Sequence, residues 1–389
     1  MATLARGPYA CDLVTTVTGL AALEAEWDAL HAAVKGAYVS DSFAWARLSW
    51  DLVGQERGLA LCCAVVRLDS RVVAIWPLTV SRTAIWRVAA SLSSRSSEYC
   101  PFLIDPAADL GEAWRSILRE VRIRGAVDAL HLLKVRDDAP LARCLSMQPG
   151  AARMDSAPAP FLRRADFADW PSYHAGLPQS LRAKLRRDKR RLEQLGTVRF
   201  QELSDPAERQ SVWSWMIANK RRWLVRHGLR SDWMFSEGYA RFVAASLDRC
   251  GPSGARRIFA LKVDEAVVAT DLVSVDQTRV ESFVGTFDEE YARCAPGNVL
   301  RDETIRWAFA QGLDYDCRLG AEPYKQHFAN QVAYVANYAF PLTVRGRLFV
   351  IYEVTRRWIA RKLPDPVRKR VAAVLRRART KRRSNPPDS

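Results

Sequence analysis

No stretch of this 389-residue chain approaches the roughly 20 consecutive apolar residues that a helix needs to cross a bilayer, so no helical membrane span is expected. The opening residues, MATLARGPYACDLVTT, contain no apolar core of a secretory signal and carry Asp12; a cytoplasmic protein is expected. The eight cysteines show no ligand-like clustering, since only Cys62 and Cys63 are adjacent. That excludes zinc-site spacing and a disulfide framework, and leaves buried, reduced thiols and no metal as the expectation. There is no Gly-x-Ser-x-Gly elbow and no Cys/His pairing, so a covalent nucleophile is not expected. The five histidines are few, and neither His227 nor His327 has a metal-like companion, which makes both structural readings. Acidic residues are the minority charge, 43 Asp and Glu against 59 Lys and Arg, for a formal charge of +16.

A chain 49% hydrophobic and 26% charged has a globular composition, and its length suits two domains plus extensions. The positive charge is concentrated. Arg345–Arg383 holds fifteen Lys and Arg against Glu353 and Asp365, and a second cluster runs from Arg182 to Arg191. Such a chain meets polyanions: nucleic acid, anionic lipid or phosphorylated small molecules. Pro158, Pro160, Pro171 and Pro178 mark a connector over 151–179. It separates a unit over 1–150 from a second over 180–345, with a basic amphipathic tail over 346–389.

The two units share a hairpin. Val66-Arg-Leu-Asp-Ser-Arg-Val-Val-Ala-Ile aligns without gaps to Leu261-Lys-Val-Asp-Glu-Ala-Val-Val-Ala-Thr, each an apolar strand pair turning at Asp69 or Asp264. With helices in matching order around it, this predicts two copies of one mixed α/β unit. In the second copy, Phe283–Asn330 reads as a strand end, a Pro296-Gly297 turn, an amphipathic helix, a short strand and a polar loop ending Glu322-Pro323-Tyr324-Lys325. The first backbone N–H groups of a helix have no intrahelical partner, and the helix dipole favours an anion there. Gly297 permits close approach and Asn298 is a candidate N-cap. The turn therefore reads as a pyrophosphate seat. The first copy has Ser96-Ser97-Glu98-Tyr99-Cys100-Pro101 after its sheet, with no glycine, so the ligand is expected in the second.

The ordered set Pro296-Gly297, Gly312, Tyr315-Asp316, Gly320 and Glu322-Pro323-Tyr324-Lys325 resembles the CelD/BioF2-like group of GNAT-like acyltransferases, relatives of the FemAB aminoacyl transferases. Two departures are Cys317, where an aromatic residue is usual, and a single glycine where the fuller pyrophosphate motif has two. The resemblance implies an α/β (α+β) fold of two tandem GNAT-like mixed-sheet domains, the first degenerate. It implies transfer of an acyl group, acetyl first, from acetyl-CoA or another acyl-CoA to an amine or hydroxyl on a small-molecule or glycan-linked acceptor, by direct attack on the thioester. Polysaccharide or cell-envelope biosynthesis is the setting it suggests. Pro296, Gly297, Asn298, Val299 and Leu300 would seat the pyrophosphate.

For the chemistry, Lys325 would stabilise an oxyanion or hold an anionic substrate, and Tyr324 would protonate the leaving thiolate or orient the substrate. Glu322 sits in the right loop for a base. Asp271 interrupts an apolar strand and is a rival, as is Glu281, while Asp316 at a strand end would act as a relay or cap a turn. Arg182 and Arg186, on a helix whose leucines face inward, would reach a phosphorylated or acidic substrate. Trp213, Trp215 and Trp223 interleave with Lys220-Arg221-Arg222, a pattern that packs a core or stacks a base or sugar. The tail, with Trp358, Ile359 and Leu363 among its arginines, reads first as a membrane-surface helix for anionic lipid, with nucleic-acid contact or a solvated tail as the alternatives. Two other function classes stay open. One is aminoacyl transfer from charged tRNA, which would bring in nucleic acid as a substrate. The other is a non-catalytic scaffold of a polysaccharide-export system.

Overall fold

The computed structural model describes residues 8–83, 85–229, 231, 234–249 and 255–362. Its strands are β1 (Tyr9–Val14), β2 (Ala60–Leu68), β3 (Arg71–Arg82), β4 (Arg87–Ser91), β5 (Leu103–Ile104), β6 (Ala129–Arg136), β7 (Ala152–Leu162), β8 (Val198–Glu202), β9 (Arg256–Val263), β10 (Ala266–Val275), β11 (Arg279–Phe287), β12 (Asp314–Asp316) and β13 (Gln331–Pro341). All join one mixed sheet in the order β1-β2-β3-β4-β6-β13-β7-β12-β11-β10-β9-β8, with β5 beside β3.

That order reads alike from both ends. β2, β3 and β4 are antiparallel neighbours, as are β9, β10 and β11; β4 then pairs in parallel with β6, and β11 with β12. The shared hairpin thus reports a shared path. Its turns match as well: Asp69 and Asp264 take left-handed backbone at φ 48° and 52°, a conformation Asp tolerates. The mixed α/β class, with two halves that follow one strand path, is the architecture observed.

The proline-marked stretch is not simply a connector, because 152–162 forms β7 near the middle of the sheet. Pro158 and Pro160 are two apart, so their ring nitrogens face the same side. On that side lies a loop: the carbonyls of Pro160 and Pro158 accept the N–H groups of Cys317 and Gly320, at 3.1 and 3.0 Å. β12 is only three residues long and pairs with Leu162 and Phe161, so the missing proline N–H groups break no regular ladder. Strands are also exchanged between the halves. β13 lies between β6 and β7, and β7 lies beside β12.

The halves share apolar packing. The Phe43–Ser49 helix of the first half meets the Glu237–Arg249 helix of the second, where the rings of Trp45 and Phe242 are 5.1 Å apart in a T-shaped contact. Trp45, Leu48, Trp213, Met216 and Phe242 belong to one buried cluster, so Trp213 is a core residue. The leucines of the Gln179–Glu193 helix pack on the Pro296–Ala310 helix and the second half of the sheet.

Candidate active site

β11 and β12 pair in parallel over only three positions, Arg279–Glu281 with Asp314–Asp316. From Ser282 onward β11 has no strand on that side, and a cleft of about 900 Å³ opens in the gap. One wall is Ser282–Phe287. The other is Cys317, Arg318, Leu319 and the Glu322–Lys325 segment, with Lys220 and Trp223 from the Pro206–Arg226 helix and Glu98 from the first half. Arg318 holds the gap apart. Its backbone is left-handed at φ 62°, which turns the chain away after β12. Its guanidinium donates to the Phe283 carbonyl at 3.0 Å and to Glu98 at 2.7 Å, and lies 3.2 Å from Glu281. Glu281 is therefore engaged in the wall.

The Pro296–Ala310 helix points its N-terminus at this cleft. The N-cap is Ala295, left-handed at φ 44°, with no side chain to accept from the first turn. Asn298 is not the cap. It is the third helical residue, and its N–H reaches the Ala295 carbonyl at 3.0 Å. Gly297 has helical backbone, and a Cβ there would meet only Phe287 Cδ1, at 3.7 Å, so a side chain would enter the cleft. Gly297, Asn298 and Leu300 line the cleft; Pro296 and Val299 are buried. The corresponding first-half helix, Leu110–Ile123, is different. Its N-cap Asp109 accepts from the Glu112 N–H at 2.9 Å, and Glu112 adds a second acid to the first turn. A carboxylate already occupies the place an anion would take, whereas the second half leaves it open.

Asp271 projects from β10 opposite Gly285 of β11, whose lack of a side chain uncovers the carboxylate to the cleft. Ser282 Oγ donates to it at 2.9 to 3.0 Å, and the Tyr315 hydroxyl stands at 3.5 Å. Burial raises the Asp271 pKa, against the opposing pull of Arg301, Ser282 and Tyr315. Across the cleft, burial lowers the Lys220 pKa, partly offset by Asp271 and Glu322. Arg301 lies 4.2 Å above the Tyr324 ring, and burial raises the Tyr324 pKa and keeps its phenol protonated. The Trp223 ring faces the cleft with Lys220 Nζ 4.8 Å above it.

The Glu322–Lys325 segment is not the loop expected from sequence but the N-cap and first turn of a short helix, Pro323–Phe328, and it is braced from within. Lys325 is buried, donates to the Leu319 carbonyl at 2.6 Å and lies 3.2 Å from Glu322. Its ammonium is thus already partnered, and it holds the segment rather than projecting freely into the cleft. Gly320, at φ 141°, is required by this fold-back, since a Cβ would sit 2.0 Å from Glu322 Oε2 and 2.7 Å from Lys325 Nζ.

Three expected site residues lie elsewhere. Asp316 is buried between the halves, accepting from the Tyr99 hydroxyl at 2.9 Å, the Arg318 N–H at 2.7 Å and Arg136 at 3.2 Å. It ties β12 to the first half and does not line the cleft. Arg182 and Arg186 do not line it either. Arg182 donates to the Leu177 carbonyl at 3.1 Å, and both arginines lower the His174 pKa after burial has done so. Conversely, Arg301, Arg318, Ser282 and Glu98 were not singled out for the site, and Lys220 only as part of the basic run beside Trp223. Arg301 had a signal, since it is one helical turn beyond Gly297. Among the described residues no group of three or more His, Cys, Asp or Glu could hold a metal ion.

A family model described as an acetyltransferase (GNAT) domain matches residues 179–326. No functionally curated protein matches the chain. Among solved structures, that of FemX superposes with a TM-score of 0.61 at 11% identity, covering 84% of this chain and 97% of that one. A conserved protein of unknown function from Bacteroides thetaiotaomicron gives 0.53 at 11% identity, over 84% and 99%. The C-terminal (DUF2156) domain of a putative lysylphosphatidylglycerol synthetase from Agrobacterium fabrum gives 0.50 at 11% identity, over 86% and 96%. At these identities the superpositions speak for the fold. Residues 179–326 match the GNAT domain model, and the chain as a whole shares its fold with FemX and the DUF2156 domain.

Proposed function

We propose that this protein transfers an acyl group, acetyl in the first instance, from a CoA thioester to an amine or hydroxyl of a small-molecule or glycan-linked acceptor. One observation carries the reading: a single cleft receives both an uncapped helix N-terminus and a buried carboxylate, Asp271. The open helix end with Gly297 fits a diphosphate, and Lys220 and Arg301 add positive charge to the same walls. CoA supplies the activated acyl group. The acceptor nitrogen or oxygen bonds to the thioester carbonyl carbon, the carbon–sulfur bond breaks, and the acceptor's proton must leave while the sulfur gains one. Asp271, its proton affinity raised by burial, takes the acceptor's proton. Tyr324, kept protonated, supplies one to the sulfur.

Aminoacyl transfer from tRNA is the second reading, favoured by the whole-chain likeness to FemX and by the charge of +16. Calorimetric titration with acetyl-CoA and filter binding of aminoacyl-tRNA separate the two. Saturable acetyl-CoA binding displaced by CoA supports the proposal. Binding of aminoacyl-tRNA alone supports the second reading, and binding of neither leaves the non-catalytic scaffold.

A further inference from the structure

The Val344–Lys362 helix packs on β13, β6 and β7 through one side. Gly346, Phe349 and Glu353 are buried there, and Gly346 lies so close that a Cβ would be 1.9 Å from the Asp128 carbonyl. At about 100° per residue, the opposite side carries Val344, Leu348, Ile351, Trp358 and Ile359. These are 77, 58, 61, 57 and 46% exposed. Basic residues border the stripe on both flanks: Arg345 and Arg356 on one, Arg347 and Arg361 on the other, all exposed, with Arg356 also paired to Glu353, Arg361 to Asp155 and Arg345 to the Ile85 carbonyl.

We propose that this face rests on an anionic phospholipid surface, its apolar stripe in the headgroup boundary and its arginines against lipid phosphates. A stripe of large apolar side chains left in water marks an interaction surface. An apolar face with tryptophan, bordered by arginine, is the pattern of a helix lying in a membrane interface. The other occupants fit less well. A second copy would bring arginine rows together, and like charges across an interface repel. Nucleic acid would use the arginines and leave the stripe in water. The sequence beyond Lys362 reinforces the choice, adding nine Lys and Arg before Ser384 against Asp365. Among the described residues no helix is long and apolar enough to cross a membrane.

The test uses the full chain and co-sedimentation with phosphatidylcholine vesicles, with and without about 30% phosphatidylglycerol at low salt. Wild type is expected to bind only the anionic vesicles and to leave them as salt shortens the screening length. The triple variant Leu348→Ser, Ile351→Ser, Trp358→Ser is expected to bind about thirtyfold more weakly, since three apolar anchors are lost. Its thermal midpoint should be unchanged, because the three side chains face away from the body. If the triple variant misfolds, Ile351→Ser alone decides, with an expected loss of about threefold to fivefold. Equal binding to neutral and anionic vesicles, or wild-type binding by the variants, overturns the proposal. So does a wild-type dimer that the variants convert to monomer without change in vesicle binding, which would make the face a self-association surface.

Discussion

Replacing Asp271 with Asn tests the proposed chemistry and the electrostatics together. The carboxylate is 4% exposed, accepts from Ser282 with both oxygens, and faces the cleft across Gly285. Asn keeps the volume and one acceptor oxygen, so the Ser282 contact survives in part and costs at most about 1 kcal/mol. Against this stands a gain. The folded-state pKa of Asp271 is raised, so the folded protein holds this proton more tightly than the unfolded chain. The group's stability contribution is fully present below the unfolded value near 4 and is lost as pH rises through the folded value. Asn has no such loss. The thermal midpoint of Asp271→Asn relative to wild type should therefore rise between pH 4 and pH 8. Activity should move the other way. Positioned general bases contribute about 10²–10⁴-fold, or roughly 2.7–5.5 kcal/mol of barrier, and Asn cannot accept the proton. Thiol release from acetyl-CoA, followed first with water and then with a true acceptor, should fall by that factor. The ascending limb of the pH–rate profile should disappear. A variant within about threefold of wild type that keeps the same limb would remove Asp271 from the chemistry.

Gly297→Val should weaken acetyl-CoA binding at least about tenfold by calorimetry while leaving the thermal midpoint nearly unchanged, because the site is helical and the new side chain enters the cleft; equal affinity would take the helix end out of the site. Lys325→Met should lower the urea unfolding free energy by about 1–2 kcal/mol, since the half-buried Leu319 carbonyl loses its donor; an unchanged midpoint would mean the segment is not braced this way. Asp316→Ala should destabilise by about 3 kcal/mol or more, by breaking the buried pair with Arg136, and should leave acetyl-CoA affinity alone; a loss of affinity with intact stability would return Asp316 to the cleft.

Local chemistry determined a good deal of this protein. The alternation of apolar residues around Asp69 and Asp264 set two equivalent hairpins, and the Pro296-Gly297 pair ahead of an amphipathic run marked where a helix N-terminus would open. These features depend on residues a few positions apart, so sequence spacing is enough to read them. Asp271 was legible for the same reason, as a charge inside an apolar strand.

The tertiary structure decided what depended on distant partners. Pro158 and Pro160 read as a connector until the loop at Cys317–Gly320 supplies the side on which they need no N–H. Asp316 is a link between halves because Tyr99 and Arg136, far away in sequence, converge on it. Asn298 lost the capping position to Ala295 through one left-handed residue. Lys325 is occupied because the chain folds back over Gly320. Glu98 reaches the cleft only through the packing of one half on the other. Spacing fixes which face of its own element a side chain takes. Which groups meet there, and whether a charge arrives free or already paired, is set by contacts that form only when the two halves share one sheet.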